Sequence, residues 1–306
     1  MITSTNQQEL GPQHKGDDRL TARLRRHQSW YRANVLCAGY GVGPKPTSLN
    51  CYGNMLMADD AERGANFLTP EIFAVAKRRL AENSGVVERF RLLYNMLSSQ
   101  PMCFNLFAPL ADDLEMATRL IAALLPGEVA EVLAVVLEFN PVPASAYLND
   151  RTAFDAYVEW RRPDGQMAFM GFETKLSEPF SQKVYDGPNY RRWMGPMSPW
   201  LPDSDVANIR HNQLWRDHLL AVAHQRQARS TYEHGRLAVV RHPLDDACAE
   251  TAAGYRKLLH PHDDTFVELT LADVIDTWSG AVQTEAERGW LDGFRLRYLD
   301  LATSGS

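Results

Sequence analysis

The chain has little cysteine, and what it has follows no pattern that could close a metal site or staple a fold. Cys37, Cys51, Cys103 and Cys248 include no CxxC pair and have no histidine at zinc-finger spacing. A zinc ribbon is therefore not expected, and the four are read as reduced thiols that mostly serve as small core residues. Long apolar runs are also missing. No stretch approaches the roughly 20 residues that a membrane helix needs, and no charged n-region leads into an apolar segment near the start. The expectation is a cytoplasmic protein with no membrane contact. Positive charge is in short supply too: 32 Lys and Arg stand against 38 Asp and Glu, a net charge of −6. That balance argues against coating nucleic acid through bulk charge, but it permits a local basic cleft around an acidic, metal-binding centre. The glycine-rich stretch 39-GYGVGPKPTSLNCYGN-54 has no GKS or GKT ending and no apolar strand leading into it. It reads as a structured loop and not as a phosphate cradle.

With 306 residues, 45% of them hydrophobic, the chain is long enough to bury a substantial core. Residues 1–17 are polar and aperiodic and read as a disordered tail. Residues 18–109 read as a helical N-terminal extension packed on the core. Its helices are a basic one over 18–32, taken as a solvated face in preference to a DNA clamp, one over 70–85 with Pro70 in its first turn, and one over 86–99. Residues 110–306 read as the core. A helix over 110–125 precedes the β-branched run 131-EVLAVVLEFNP-141, with Glu138 near its exit. Alternating strands follow over 154–162 and 166–176, then a long loop over 179–204 and a helix over 205–228 beginning near Asp205. Strands over 236–243 and 265–271 and a closing helix near 281–300 complete the chain. The pattern is α/β with a mixed sheet flanked by helices, without regular βαβ alternation.

The stretch 171-GFETKLSE-178 ends a strand with Glu173 and Lys175 two residues apart, which puts both on one strand face. The connection before it, 162-RPDG-165, suits a three-residue hairpin loop with Gly165 at positive φ. Counting back from that loop sets Asp155 opposite Glu173, at about 5 Å between Cβ atoms. A two-residue Asp-Gly loop would pair Asp155 with Thr174 and turn it to the other face. Two carboxylates side by side repel unless a cation lies between them, and Mg²⁺ is commonly held by one or two carboxylates plus water and phosphate.

A strand Asp followed by a hairpin strand bearing Glu-x-Lys resembles the PD-(D/E)XK nuclease superfamily. The segments SSQPMCFNLFAPLADDLEMA, VVLEFNP, DRTAFDAYVEW, GFETKLSE and HNQLWRDHLLA, in that order, are similar to one family of uncharacterised restriction endonucleases within it. The resemblance implies a restriction-endonuclease-like αβββαβ core and a Mg²⁺-dependent DNA endonuclease in which Mn²⁺ can substitute, with a homodimer as a further expectation. By the same resemblance Asp155 and Glu173 would hold the metal, and Lys175 would orient or deprotonate the attacking water. Glu138 would add a carboxylate, Gln213 would point toward the site from the long helix, and Arg216 would lie on a neighbouring face. Phe154 stands where the motif's proline would be, and Asp150 is a rival for the motif aspartate. A catalytically silent DNA- or protein-binding member of the same fold is the alternative, and an unrelated α/β enzyme a third reading.

Trp193, Trp200 and Trp215, with Arg191 and Arg192, can stack on bases or simply pack the long loop down. The stretch 260-HPHDD-264 is read as solvated loop and not as a metal site.

Overall fold

The computed structural model describes residues 10–82, 87–195, 198–227 and 230–305. The N-terminal elements are α1 (Arg19–Asn34), β1 (Tyr40–Val42), β2 (Cys51–Leu56), α2 (Ala58–Glu62), α3 (Pro70–Ala81), α4 (Arg89–Tyr94) and α5 (Ser99–Asp112). Then come α6 (Leu114–Leu124), β3 (Glu131–Phe139), β4 (Phe154–Arg161), β5 (Met167–Lys175), the short α7 (Pro188–Arg191) and α8 (Asn212–Arg226). The chain continues through β6 (Tyr232–Arg241), α9 (Asp246–Arg256), β7 (Phe266–Thr270), α10 (Leu271–Ser279) and α11 (Glu285–Tyr298). No described helix is long and apolar enough to cross a membrane.

The chain divides into two compact units. One comprises residues 10–109, 176–178 and 282–305 among those described, and the other residues 110–175 and 179–281. In the first unit buried Arg297 ties the closing helix α11 both to the segment after α2 and to α1. The Arg297 guanidinium donates to Asn66 O at 2.8 Å, and Gln28 Nε2 donates to Arg297 O at 2.8 Å. The closing helix therefore groups with the N-terminal residues, whereas the sequence division had assigned it to the core. Residues 10–17 are likewise held. Leu10 is only 2% exposed, Gly53 N donates to Pro12 O, and Arg25 pairs with Asp17 at 2.5 Å. The expected tail is thus anchored from Leu10 on, and residues 1–9 lie outside the described residues. Residues 39–54 are not all loop, since β1 and β2 pair antiparallel within and just past them.

The second unit is built on a five-stranded sheet in the order β3-β4-β5-β6-β7, the first two pairings antiparallel and the last two parallel. From α6 to β6 the main elements run α-β-β-β-α-β, the restriction-endonuclease-like order, in an α/β fold with a mixed sheet flanked by helices. The R-P-D-G turn closes as a three-residue loop. Arg162 N donates to Gln166 O and Gly165 N to Arg162 O, both at 2.9 Å, and Gly165 takes φ +87°. The β4/β5 register that follows pairs Arg161 with Met167 and Ala156 with Phe172. At the far end the Phe154 ring lies where a Cβ on Gly171 would be, 2.3 Å away, so only glycine lets the start of β4 close on β5.

The central strand β5 is buried from Ala168 to Lys175. Such two-sided burial is the rule where helices cover both faces of a sheet. On one face α8 packs Leu214, Trp215, Leu219 and Leu220 into a core with Tyr157, Phe169, Leu237 and Phe266. Helix α8 starts at Asn212 and not at Asp205, because the preceding residues are tied into turns: His211 N donates to Asn208 O and the Asn212 side chain bridges to Tyr185. The helices expected over 86–99 and 110–125 resolve into α4, α5 and α6, with Asp113 capping α6 through Met116 N at 2.8 Å. Helices α9 and α10 were not foreseen, although Thr270 and Asp273 form a full capping box that was open to reading in the sequence.

Two measurements check this architecture. Gly165→Ala meets no neighbouring atom, so its cost is purely that of a positive φ, about 1 kcal/mol in urea unfolding; no loss at all would mean the loop is not the three-residue form. His218 is fully buried between Tyr255 and Thr265, and burial lowers its pKa to about 3. Its contribution is present above the unfolded value near 6.5 and is lost as pH falls toward 3. The stability gap between wild type and His218→Gln should therefore narrow by about 2 kcal/mol from pH 7 to pH 5, and a gap that is independent of pH would contradict the buried placement.

Candidate active site

Two registers put three acids in one row across the sheet. Leu137 faces Ala156 and Phe139 faces Phe154, so Glu138 stands opposite Asp155. The β4/β5 register carried one step past Ala156 and Phe172 brings Asp155 opposite Glu173. This is the pairing the three-residue loop required. Glu138 is buried and holds φ +53°, a conformation costing on the order of 1–3 kcal/mol for a non-glycine residue. The left-handed residue of β3 is therefore the acid itself.

The ends of β4 and β5 determine how the acids are used. Asp155 Oδ2 accepts both the backbone N–H and the hydroxyl of Thr174, each at 2.8 Å. Burial, then Glu173, then Glu138 push the Asp155 carboxyl well above the usual carboxylate range, and the Thr174 bonds offset only part of this. Glu173 is 7% exposed, and its Oε1 is held twice, by Lys175 Nζ at 2.9 Å and by Gln213 Nε2 at 2.7 Å. The Lys175 ammonium also lies 3.5 Å from Gln213 Oε1 and 4.7 Å from the centre of the Phe180 ring. Gln213 Oε1 accepts Ser181 N at 2.7 Å, which fixes the amide with its NH₂ toward Glu173 and its oxygen toward Lys175. The structure thus brings together Glu138, Asp155, Glu173, Lys175 and Gln213.

One residue escaped the sequence reading as a site member. Asp217 lies four positions after Gln213 on α8, hence on the same helix face, and is 3% exposed. Its Oδ2 is buried with no hydrogen-bond partner. Burial and then Glu173 raise this carboxyl well above its ordinary value, against the opposing pull of Arg216 and Lys175. The i, i+4 spacing from Gln213 was the available signal.

Other candidates are engaged elsewhere. Asp150 caps Thr152 through its N–H at 2.9 Å and its hydroxyl at 2.7 Å, and accepts the Tyr190 hydroxyl at 2.9 Å. Arg216 approaches Asp150 at 3.5 Å and stacks on Tyr185. Both serve the loop leading into β4. Trp200 and Trp215 are buried core residues, with the Arg191 guanidinium over the Trp215 ring, and Trp193 Nε1 donates to Tyr147 O at 3.1 Å. Trp200 and Trp215 therefore serve packing, while Arg191 and Arg192 are exposed. In 260-HPHDD-264, Asp263 caps Thr265 as an ordinary loop residue.

Among the described residues no three His, Cys, Asp or Glu side chains converge closely enough to hold a metal ion by themselves. The donor set still suits a hard divalent cation: Asp155 and Asp217 both lie close enough to Glu173 to feel its charge, Glu138 lies beside Asp155, and the region is largely desolvated. An added cation relieves that repulsion, and oxygen donors are those Mg²⁺ prefers.

No curated protein and no solved structure matches the chain. A sequence model of the PD-(D/E)XK nuclease superfamily matches residues 15–300. With nearly its whole length inside that match, the chain belongs to the PD-(D/E)XK nuclease superfamily.

Proposed function

We propose that the protein is a metal-dependent DNA endonuclease, with Mg²⁺ as its ion and Mn²⁺ as a substitute. The observation that carries this reading is the buried arrangement in which Glu173 holds Lys175 at 2.9 Å, Gln213 holds both, and Asp155 stands in the next strand at the register of Glu173. Asp155 and Glu173 would bind the ion, with water and substrate phosphate completing its shell. A bound divalent ion polarises a phosphoryl oxygen and lowers the pKa of a water molecule.

The protein's own groups do the rest. Thr174 holds Asp155 in place through both of its bonds to Oδ2. Gln213 orients the Glu173 carboxylate, and with the Phe180 ring it keeps the Lys175 ammonium at the end of β5. Lys175 then faces the charge that builds on the scissile phosphate, and it takes part in moving the proton lost by the attacking water. In the reaction the water oxygen forms a new P–O bond, one ester P–O bond breaks, and the departing oxygen gains a proton. Glu138 and Asp217 would supply further carboxyl oxygens beside the ion.

Cleavage of duplex and single-stranded DNA in Mg²⁺ tests the assignment. Asp155→Ala, Glu173→Ala and Lys175→Ala should each lower the rate by two orders of magnitude or more, while chelation abolishes cleavage and Mn²⁺ restores it. Equal activity in wild type and all three variants would remove the mechanism, and a fully folded wild type that binds DNA without cutting it would identify a silent binding module instead. Gln213→Ala should lose about tenfold, because it positions Glu173 and Lys175 without replacing either. Gln213→Glu would put a carboxylate against Glu173 Oε1 and should lose more than the alanine variant; the reverse order would show that Gln213 acts only by filling space.

A further inference from the structure

A second feature lies on the same helix. Beyond the motif end of α8, a cavity of about 510 Å³ opens between the loop that follows β3, the last turn of α8 and the start of β6. Its size is that of a small-molecule pocket. Three rings wall it. His224 lies 5.8 Å from Tyr147 and 5.1 Å from Tyr232, centre to centre, and Gln227, Ser230 and Thr231 add polar groups.

Two of the three rings are fixed from behind. Tyr232 donates to Glu159 at 2.5 Å, the Tyr157 and Tyr232 hydroxyls are 2.9 Å apart, and the Tyr157 hydroxyl lies 3.3 Å from His224 Nε2. Burial lowers the His224 pKa to about 4, so the imidazole is neutral near pH 7. Among the described residues that line the cavity none is Lys, Arg, Asp or Glu. The described part of the wall suits a flat, uncharged ring with hydrogen-bonding edges.

Position narrows the ligand further. Gln213, which touches both Glu173 and Lys175, lies eleven residues before His224 on α8, or roughly 16 Å along the helix. That span is about five base steps of a DNA strand. We infer that the cavity receives one unpaired nucleobase of the strand being cut, stacked on Tyr147, with His224, tilted 44° from the Tyr147 ring, and Tyr232, tilted 35° from His224, against its edges. This inference rests on the nuclease reading for its choice of ligand. Aromatic platforms bind unstacked bases in this way, with little preference among sequences.

The test measures binding of the full chain to a short single-stranded DNA in chelator, by fluorescence anisotropy, with one abasic position scanned along the strand. One abasic position should weaken binding about tenfold, and the others should have little effect. Tyr147→Ala should weaken binding of the intact strand to a similar degree and erase the positional effect, whereas Tyr147→Phe keeps both. Uniform binding across the scan, or a positional effect that survives Tyr147→Ala, overturns the pocket. Asp155→Ala should retain the positional effect while losing cleavage. A wild type that cuts DNA but shows no such effect loses the pocket alone, and one that shows the effect but never cuts loses the nuclease reading alone.

Discussion

The site depends on one constraint: β5 is the middle strand of the sheet and is buried on both faces, yet it ends in Glu173 and Lys175. An ammonium and a carboxylate in such a place cannot rely on water and need partners with good geometry. They find each other at 2.9 Å and share Gln213 from α8. The loop after β5 folds back, so that Phe180 lies beside the ammonium and Ser181 N holds the Gln213 oxygen. Much of what surrounds the pair is therefore a consequence of where the strand sits.

The second consequence concerns charge. Packing β3, β4 and β5 in these registers lines up Glu138, Asp155 and Glu173, and α8 adds Asp217. Carboxyl groups collected out of water resist ionisation, as the raised Asp155 and Asp217 values show. A positive φ at Glu138 adds backbone strain at the same place. Apolar residues in this row would have made a more stable sheet. An arrangement that opposes stability in this way is what binding a cation between strands would require. The opposite end of α8 shows the contrary choice, since Tyr157, Glu159 and Tyr232 bond to one another and no charged side chain lines the cavity among the described residues.

Much of this was legible in the chain. The R-P-D-G turn carries its loop type in residue identity, because proline presets one φ and glycine takes a positive one, and that local chemistry propagates by strict alternation to put Asp155 opposite Glu173. The α/β class, the α-β-β-β-α-β order from α6 to β6 and the long helix bearing Gln213 were readable from periodicity, whereas α9 and α10 were not. Asp217 was harder to place, although its spacing from Gln213 was visible, because a buried acid on a helix has the same sequence signature as an exposed one. Trp200 and Trp215 looked like part of a binding surface and proved to be packing, a distinction that rests on burial, whereas Arg191 and Arg192 stay exposed.

By itself, then, the sequence determined what nearest neighbours and period dictate: the hairpin register, the strand face of Glu173 and Lys175, and the motif that marks the superfamily. Only the tertiary structure decided which groups those side chains meet. The Thr174 bonds to Asp155, the amide orientation of Gln213, the desolvation of Asp217 and the return of α11 to the N-terminal unit all depend on contacts between segments far apart in the chain. Desolvation and hydrogen-bond partnership are properties of the space around a residue, and no local pattern encodes them.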